Sequence, residues 1–193
     1  DEADAFSQKC ADADNTGKGL FRYAPPSGFL AMCEDNLPAP AIADPGDHFK
    51  TVLYTGSGAA GLNVEKVGFQ PDLVWIKNRC SSRSHNVYDS VRGPGKRLQP
   101  DLTNIESDVL GVSAFNNDGF TLGAGTDDTN FNLGEYYVAW CWKAGGASVP
   151  NDDGSLTSQV SANPTAGFSI VSYAGGLTNP TVGHGLGKAP KWI

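Results

Sequence analysis

A glycine-rich segment is the first part of the chain whose residue spacing could do chemistry. Residues Gly56 to Gly61 match the pattern GxGxxG directly after a strand-like segment, a spacing that binds the pyrophosphate of dinucleotides. That use requires a helix immediately after the glycines. The segment Leu62 to Gln70 is only nine residues long, contains Gly68 and runs into Pro71. The sequence therefore predicts a strand-to-strand loop and no bound nucleotide.

The histidines and carboxylates form no recognisable catalytic set. His48, His85 and His184 are far apart in loop-like segments, and no GxSxG motif provides a serine nucleophile. The serines around His85 indicate a solvated loop. Hydrolysis of a glycoside requires two carboxylates across one site, whereas Glu135 stands alone at the start of a strand. We therefore expect no enzymatic activity and no cofactor.

Three oxygen-rich segments could bind a cation. Asp12 and Asp14 imitate the start of a calcium loop, although Tyr23 stands where the bidentate glutamate belongs. Residues 127–130 and 151–154 also combine aspartate with asparagine. Each segment is explained more simply as a turn. Structural calcium is kept as an alternative, and no residue is assigned as a metal ligand.

The four cysteines are Cys10, Cys33, Cys80 and Cys141, and no two of them have the CxxC spacing. A zinc site is therefore not expected. An even number of cysteines fits an oxidising compartment. Proximity along the chain favours the pairs Cys10–Cys33 and Cys80–Cys141, and free buried thiols are the alternative.

The composition predicts an all-β chain with many short strands and little or no helix. Charged residues make up 18% of the chain, and it contains 24 glycines and 12 prolines. No window keeps apolar residues at helical spacing. The net charge of −7 argues against binding to nucleic acid. No apolar run is long enough for membrane insertion. Because Asp1 has no signal sequence before it, we expect a processed product or a piece of a longer protein.

Strand-like and proline-rich segments alternate along the chain and divide it into five parts. The expected parts are an N-terminal segment (1–33), a proline-rich linker (34–48), a main β-sandwich (49–146), a second linker rich in Gly, Pro and Ser (147–167), and a partial repeat (168–193). Strands are predicted at Phe49–Thr55, Asp72–Lys77, Val109–Phe115, Gly119–Gly123 and Glu135–Lys143. The last of these is apolar on both faces, so we expect it at the centre of the sandwich.

The C-terminal part repeats the beginning of the main sandwich. Phe49, Val52, Tyr54 and Gly56 recur at an offset of 119 residues as Phe168, Val171, Tyr173 and Gly175. Val64 recurs as Val182, and the pair Trp75-Ile76 recurs as Trp192-Ile193, with the offset falling to 118 and 117. A repeat in this order and spacing predicts that the second copy starts with two strands.

Two isolated strands would expose apolar surface, so these residues must be buried elsewhere. They would complete this domain's own sandwich or that of a neighbouring copy, or they would belong to a longer chain that continues. The residues expected at this joint are Phe168, Ile170, Val171, Tyr173, Val182, Leu186, Trp192 and Ile193.

Four segments resemble one known family. Val67–Arg79, Asp89–Gly93, Asp118–Gly123 and Tyr137–Gly146 are similar to a repetitive module of bacteriophage tail-fibre and related virion surface proteins. Phe21–Phe29 resembles the closing segment of the SPRY-like module that often precedes it. The resemblance implies an antiparallel β-sandwich of the jelly-roll or concanavalin A-like type, located outside the cell or on the virion surface. It implies no catalytic residues.

The expected function is that of a structural subunit in an extracellular fibre or virion appendage. Its partners would be identical subunits, assembled head to tail into a homo-oligomer or filament through the C-terminal repeat. The alternative is a carbohydrate-binding, lectin-like module that contacts surface glycans through loops at one end of the sandwich. The residues proposed for that contact are Asn116, Asn117, Asp118, Asp127, Asp128 and Asn130.

Overall fold

The computed structural model describes residues 26–29, 36–123, 128–176 and 178–193. The chain divides into two compact units, Asp1–Ala43 and Asp44–Ile193. The second unit starts with a short 3-10 turn at Pro45–Asp47. Its strands are β1 (Phe49–Thr55), β2 (Leu62–Glu65), β3 (Leu73–Asn78), β4 (Asn86–Asp89), β5 (Lys96–Arg97), β6 (Ser107–Asp108), β7 (Val112–Asn116), β8 (Gly119–Leu122), β9 (Tyr136–Trp142), β10 (Val149–Asn151), β11 (Ser158–Asn163) and β12 (Phe168–Tyr173).

All sheet pairings between these strands are antiparallel, so the predicted all-β, antiparallel class is confirmed. One sheet has the order β1-β9-β3-β4 and a second has the order β2-β8-β7. The strand β9 lies between β1 and β3, as its two apolar faces predicted. No helix in the described ranges is long and apolar enough to span a membrane.

The hydrophobic core lies between these two sheets. Tyr137, Ala139 and Cys141 alternate along β9 and are fully buried, as expected for side chains on one face of a strand. The residues from both sheets that form the core with them include Val64, Val74, Ile76, Tyr88, Val112, Phe120 and Leu122. The packing of one sheet on the other is that of a sandwich.

The opposite face of the first sheet carries the tryptophans. The rings of Trp75 and Trp140 meet edge to face with centroids 6.3 Å apart. Trp142 contacts Phe49 at 5.0 Å. The three tryptophans are half-buried, so β9 uses one face for the core and the other for an aromatic surface.

The expected linker at 147–167 is wrong, because it contains the strands β10 and β11. They form a third antiparallel sheet with β12, in the order β10-β11-β12. Four of the six residues of β11 are polar (two Ser, one Gln and one Asn), so hydrophobicity did not indicate a strand. Its buried serines are satisfied by backbone groups instead: Ser161 Oγ donates to Gly146 O at 2.8 Å and accepts from Gly145 N at 2.9 Å.

Two other expected boundaries also change. The second unit starts at Asp44, so the end of the expected linker 34–48 is part of the folded unit. The repeat at 168–193 contains one strand, β12, instead of two. Trp192 and Ile193 are outside any strand and are exposed. The expected N-terminal segment 1–33 lies outside the described residues except for 26–29.

The predicted disulfide Cys80–Cys141 is wrong, since both thiols are free. Cys141 pairs with Val74 on β3, whereas Cys80 Sγ accepts a hydrogen bond from Tyr136 N at the other end of β9. At the rise of a strand the two cysteines are roughly 17 Å apart, and a disulfide requires Cα atoms within about 7 Å. The other predicted pair, Cys10–Cys33, lies outside the described residues.

The two thiols are expected to differ sharply in reactivity. Burial raises the pKa of Cys141 to about 12, whereas Cys80 is exposed. Iodoacetamide at pH 8 should therefore modify Cys80 in the folded chain and reach Cys141 only after denaturation, as measured by peptide mass spectrometry. A peptide containing a Cys80–Cys141 disulfide, or equal labelling of both thiols in the folded chain, would contradict the fold.

Candidate assembly site

The turn that precedes β12 resembles the turn that precedes β1. The repeat extends further towards the N-terminus than the apolar residues indicated: Asp44-Pro45 recurs at the same offset of 119 residues as Asn163-Pro164. Asp44 Oδ1 accepts from Gly46 N at 2.7 Å, and Asn163 Oδ1 accepts from Ala166 N at 3.1 Å. Both side chains therefore stabilise the turn that leads into the repeated strand.

In the first copy the core face of β1 is completed by other strands. Tyr54 stacks on Tyr137 of β9 with ring centroids 5.1 Å apart and meets Phe120 of β8 edge to face at 6.3 Å. Its hydroxyl donates to Thr129 O at 2.6 Å. Val52 lies on the same face and packs against the core. A tyrosine at this position of the repeat is therefore packed against β8 and β9 when both strands are present.

In the second copy the corresponding face is only partly covered. Val171 is half-buried, and Tyr173 exposes 57% of its surface. Trp192 exposes 85%, whereas its counterpart Trp75 is half-buried on β3. Tyr173 is therefore exposed at a position that packs against the core in the first copy, and Trp192 at a position that is half-buried on its aromatic face.

The segment after β12 starts to build this second core. Val182 forms a bridge with Leu156, and Ser158 Oγ donates to Gly183 O at 3.3 Å. A Cβ at Gly185 would lie 3.1 Å from Val160 Cγ1, which shows how closely the segment approaches β11. The face of β11 and β12 that carries Val160 and Val171 is thus approached by Gly183 and Gly185. Val182 is half-buried, whereas its counterpart Val64 is in the core of the first copy.

The opposite face of β12 is bound to the first copy. Phe168 stacks on Trp142 with centroids 6.2 Å apart, and Ile170 is buried. Asn163 Nδ2 donates to Lys143 O at 3.2 Å and lies 3.0 Å from His48 Nδ1. The second copy is therefore held against the end of β9 through apolar, aromatic and polar contacts.

Asp72 anchors the segment that connects the two copies. It exposes only 1% of its surface, and its Oδ2 accepts from Ala144 N at 2.8 Å and Gly146 N at 3.2 Å. Its Oδ1 accepts from Ser90 Oγ at 3.0 Å. Sequence reasoning assigned no role to Asp72, and the only local signal is a charged residue directly before an apolar strand.

A groove of about 540 Å³ lies beside this anchor. His48, Gln70, Asp72, Lys143 and Asn163 line it together with the backbone of Ala144–Gly146. The carboxylate of Asp72 is already occupied by the hydrogen bonds described above, and Asn163 by Lys143 and the turn. The groove therefore lies along the boundary between the two copies.

The glycine-rich loop is a strand connection, as predicted. It joins β1 to β2 without a helix. Asn130 Oδ1 accepts from Ser57 N at 2.7 Å and Gly58 N at 3.2 Å, and its Nδ2 donates to Ala59 O at 2.8 Å. The loop amides that would hold a phosphate are thus bound to a buried asparagine.

Among the residues that the structure describes, those expected to contact glycans do not form one site. Asn116, Asn117 and Asp118 lie at one end of β8, whereas Asn130 contacts Gly123 O beyond the other end. The four residues of β8 separate these ends by roughly 13 Å.

Most of these side chains also have internal partners. Asp118 Oδ1 accepts from Gly68 N at 2.6 Å, Asn116 Nδ2 donates to Thr121 Oγ1 at 2.8 Å, and Asp128 pairs with Arg83 at 3.2 Å. Asp127 lies outside the described residues. Carbohydrate binding remains a prediction without an assembled site.

Glu135 and His85 both have structural partners. Glu135 accepts from Asn132, Tyr137 and Asn78, and the hydrogen bonds from Asn132 and Tyr137 lower the pKa of its carboxyl. Burial raises the pKa of Tyr137 to about 12, so its hydroxyl stays protonated and donates to Glu135. His85 Nδ1 accepts from Trp75 Nε1 at 2.9 Å.

The oxygen-rich segment at 151–154 is a turn in which Asp153 N donates to Asn151 Oδ1 at 3.0 Å. The calcium-like residues Asp12 and Asp14 lie outside the described residues.

The described unit is an antiparallel β-sandwich module followed by a strand that repeats its first strand. The family model of the domain of unknown function DUF7483 matches residues 44–193, and the chain therefore belongs to this family. The match starts at the same residue as the second compact unit. No curated protein and no solved structure matches the chain.

Replacement of Asp72 tests its role as the anchor. Asp72→Ala leaves the donors of Ala144, Gly146 and Ser90 without their acceptor, so we expect the free energy of unfolding to fall by about 3 kcal/mol. Urea denaturation followed by tryptophan fluorescence would measure it. The control is Asp108→Ala, because the pair of Asp108 with Lys96 is on the surface and such pairs contribute little. Equal urea midpoints for the two variants would contradict the assignment.

Proposed function

We propose that the chain is a structural subunit of an extracellular fibre or virion appendage, in which the C-terminal repeat of one copy packs into a neighbouring copy. One observation carries the proposal: β12 repeats β1, yet Tyr173 is exposed where its counterpart Tyr54 is packed against Tyr137 and Phe120. An exposed aromatic residue at a position that packs against the core favours burial against a partner.

The joint would connect two different surfaces of the subunit. The donor surface is the C-terminal repeat, and the acceptor surface lies on the main sandwich of the next copy. Contacts between unlike surfaces build rings or open filaments, depending on the rotation between successive subunits. A subunit of this kind needs no catalytic residues, and its function is mechanical.

The setting outside the cell or on the virion rests on the sequence resemblance. Phe69–Arg79 contributes β3, and Tyr137–Gly146 contributes β9 and the segment anchored by Asp72. The segments that resemble the tail-fibre module are therefore the ones that build the centre of the sandwich and its connection to the repeat. This supports a repetitive architecture for the whole assembly.

The proposal predicts self-association through Tyr173. The full chain should form species larger than a monomer as its concentration rises, as measured by size-exclusion chromatography with light scattering and by electron microscopy. Tyr173→Asp should weaken this association about tenfold or more, since burial of an aromatic side chain contributes about 1.5–3 kcal/mol. The fold of the monomer should be unaffected because Tyr173 is exposed in it.

Ser172→Asp is the matched control. Ser172 is also exposed, but it points to the other face of β12, so its charge does not enter the expected core. It should associate like the unmodified chain. A full chain that stays monomeric at all concentrations, with residues 168–193 protected from hydrogen exchange by their own molecule, would refute the proposal.

A further inference from the structure

The free edge of β12 is the part of the joint for which the structure gives the most detail. The strand β12 pairs with β11 on one edge, and no strand within the described ranges pairs with its other edge. In the first copy β1 also has one paired edge, and its partner there is β9. The strands β1 and β12 are thus equivalent in sequence, but their partners, β9 and β11, are not equivalent.

The backbone of β1 shows which residues face β9. Lys143 N donates to His48 O, and Gly56 N donates to Glu135 O, both at 2.8 Å. Residues with even numbers in β1 therefore direct their amides and carbonyls to β9, since this direction alternates along a strand. Their side chains, Val52 and Tyr54, point to the core.

In the hairpin from β11 to β12, the strand β12 pairs through the edge that corresponds to the unpaired edge of β1. The loop of Pro164–Gly167 makes Asn163 and Phe168 its closing pair, and we assign the exchanged hydrogen bonds of the hairpin to this pair and to every second pair after it. Phe168 corresponds to Phe49, whose amide faces away from β9. The equivalents of Val52 and Tyr54, which are Val171 and Tyr173, then direct their amides to the free edge.

We propose that the free edge of β12 takes the β9 strand of a second copy of this module in place of that copy's own β1, in the register that β1 has with β9. Val171 of this chain would then lie opposite Ala139 of the added module, and Tyr173 would lie opposite its Tyr137. Val52 and Tyr54 have these same partners within the main sandwich. The strand would supply the stacking partner that Tyr173 lacks. This inference rests on the proposed function for its setting but specifies the edge, the strand and the register.

The register provides a chemical test. Lys50 lies opposite Cys141 in the pairing of β1 with β9, and the counterpart of Lys50 at the offset of 119 residues is Ser169. A hydrogen-bonded antiparallel pair has Cα atoms about 5.5 Å apart, which is within the range of a disulfide. Ser169→Cys should therefore form a disulfide with Cys141 of a second copy placed at this edge.

The second copy can be supplied within one polypeptide. Trp192-Ile193 corresponds to Trp75-Ile76, so a second segment of residues 77–146 added directly after Ile193 would complete the repeat. Cys10, Cys33 and both copies of Cys80 are changed to Ser, and Cys141 of the first copy is changed to Ala. The added Cys141 and the introduced cysteine are then the only thiols in the chain.

Ser169→Cys in this extended chain is expected to lose both free thiols on mild oxidation and to yield one intramolecular disulfide, detected by thiol counting and peptide mapping. The control is Ser172→Cys, a change of the same residue type three positions away and on the other face of β12. It should retain both thiols. Hydrogen exchange should in addition show new protection of the amides of Ser169 and Val171 in the extended chain.

Equal oxidation of the two variants, no disulfide in either, or an added segment that leaves β12 unprotected would each overturn the inference. This test takes place within one molecule. It is therefore independent of whether the unmodified chain associates with itself, which is what the proposed function predicts.

Discussion

The pairing of β1 with β9 is the interaction on which the rest of the unit depends. It runs along the full length of both strands and places Tyr54 on Tyr137, with Phe120 of the facing sheet across the core. One face of β9 thereby becomes the centre of the sandwich. The other face presents Trp142, on which Phe168 of the third sheet stacks. The same strand thus completes the first copy and holds the beginning of the second.

The pairing of β1 with β9 explains why the repeated strand β12 needs a partner on its free edge. A strand with the side chains of β1 is stable when its core face is covered and its edge is paired. In β12 the edge towards β11 is paired, while Tyr173 remains exposed. The repeated sequence is therefore accompanied by a repeated requirement for a β9-type strand, which a second copy of the module can meet when β12 takes the place of that copy's β1.

Much of the sandwich could be predicted from the sequence, because its inner strands have distinctive side chains. β1, β3 and β9 are rich in aromatic and β-branched residues, and the spacing of Phe49 and Tyr54 identified the repeat. β10 and β11 could not be predicted, since β11 buries Ser158 and Ser161, whose burial depends on backbone partners distant in sequence. The wrong cysteine pair and the dispersed glycan residues have a similar cause: strand register decides which residues meet, and proximity along the chain does not.

The most direct test of the central claim is an experimental structure of the assembled material, obtained by electron cryomicroscopy of the concentrated chain. We predict that the ring of Tyr173 lies against Tyr137 of a neighbouring copy in place of that copy's own Tyr54, in the stacked arrangement that Tyr54 has at 5.1 Å. An assembly in which Tyr173 and Trp192 face solvent, or in which residues of their own molecule cover them, would contradict the claim.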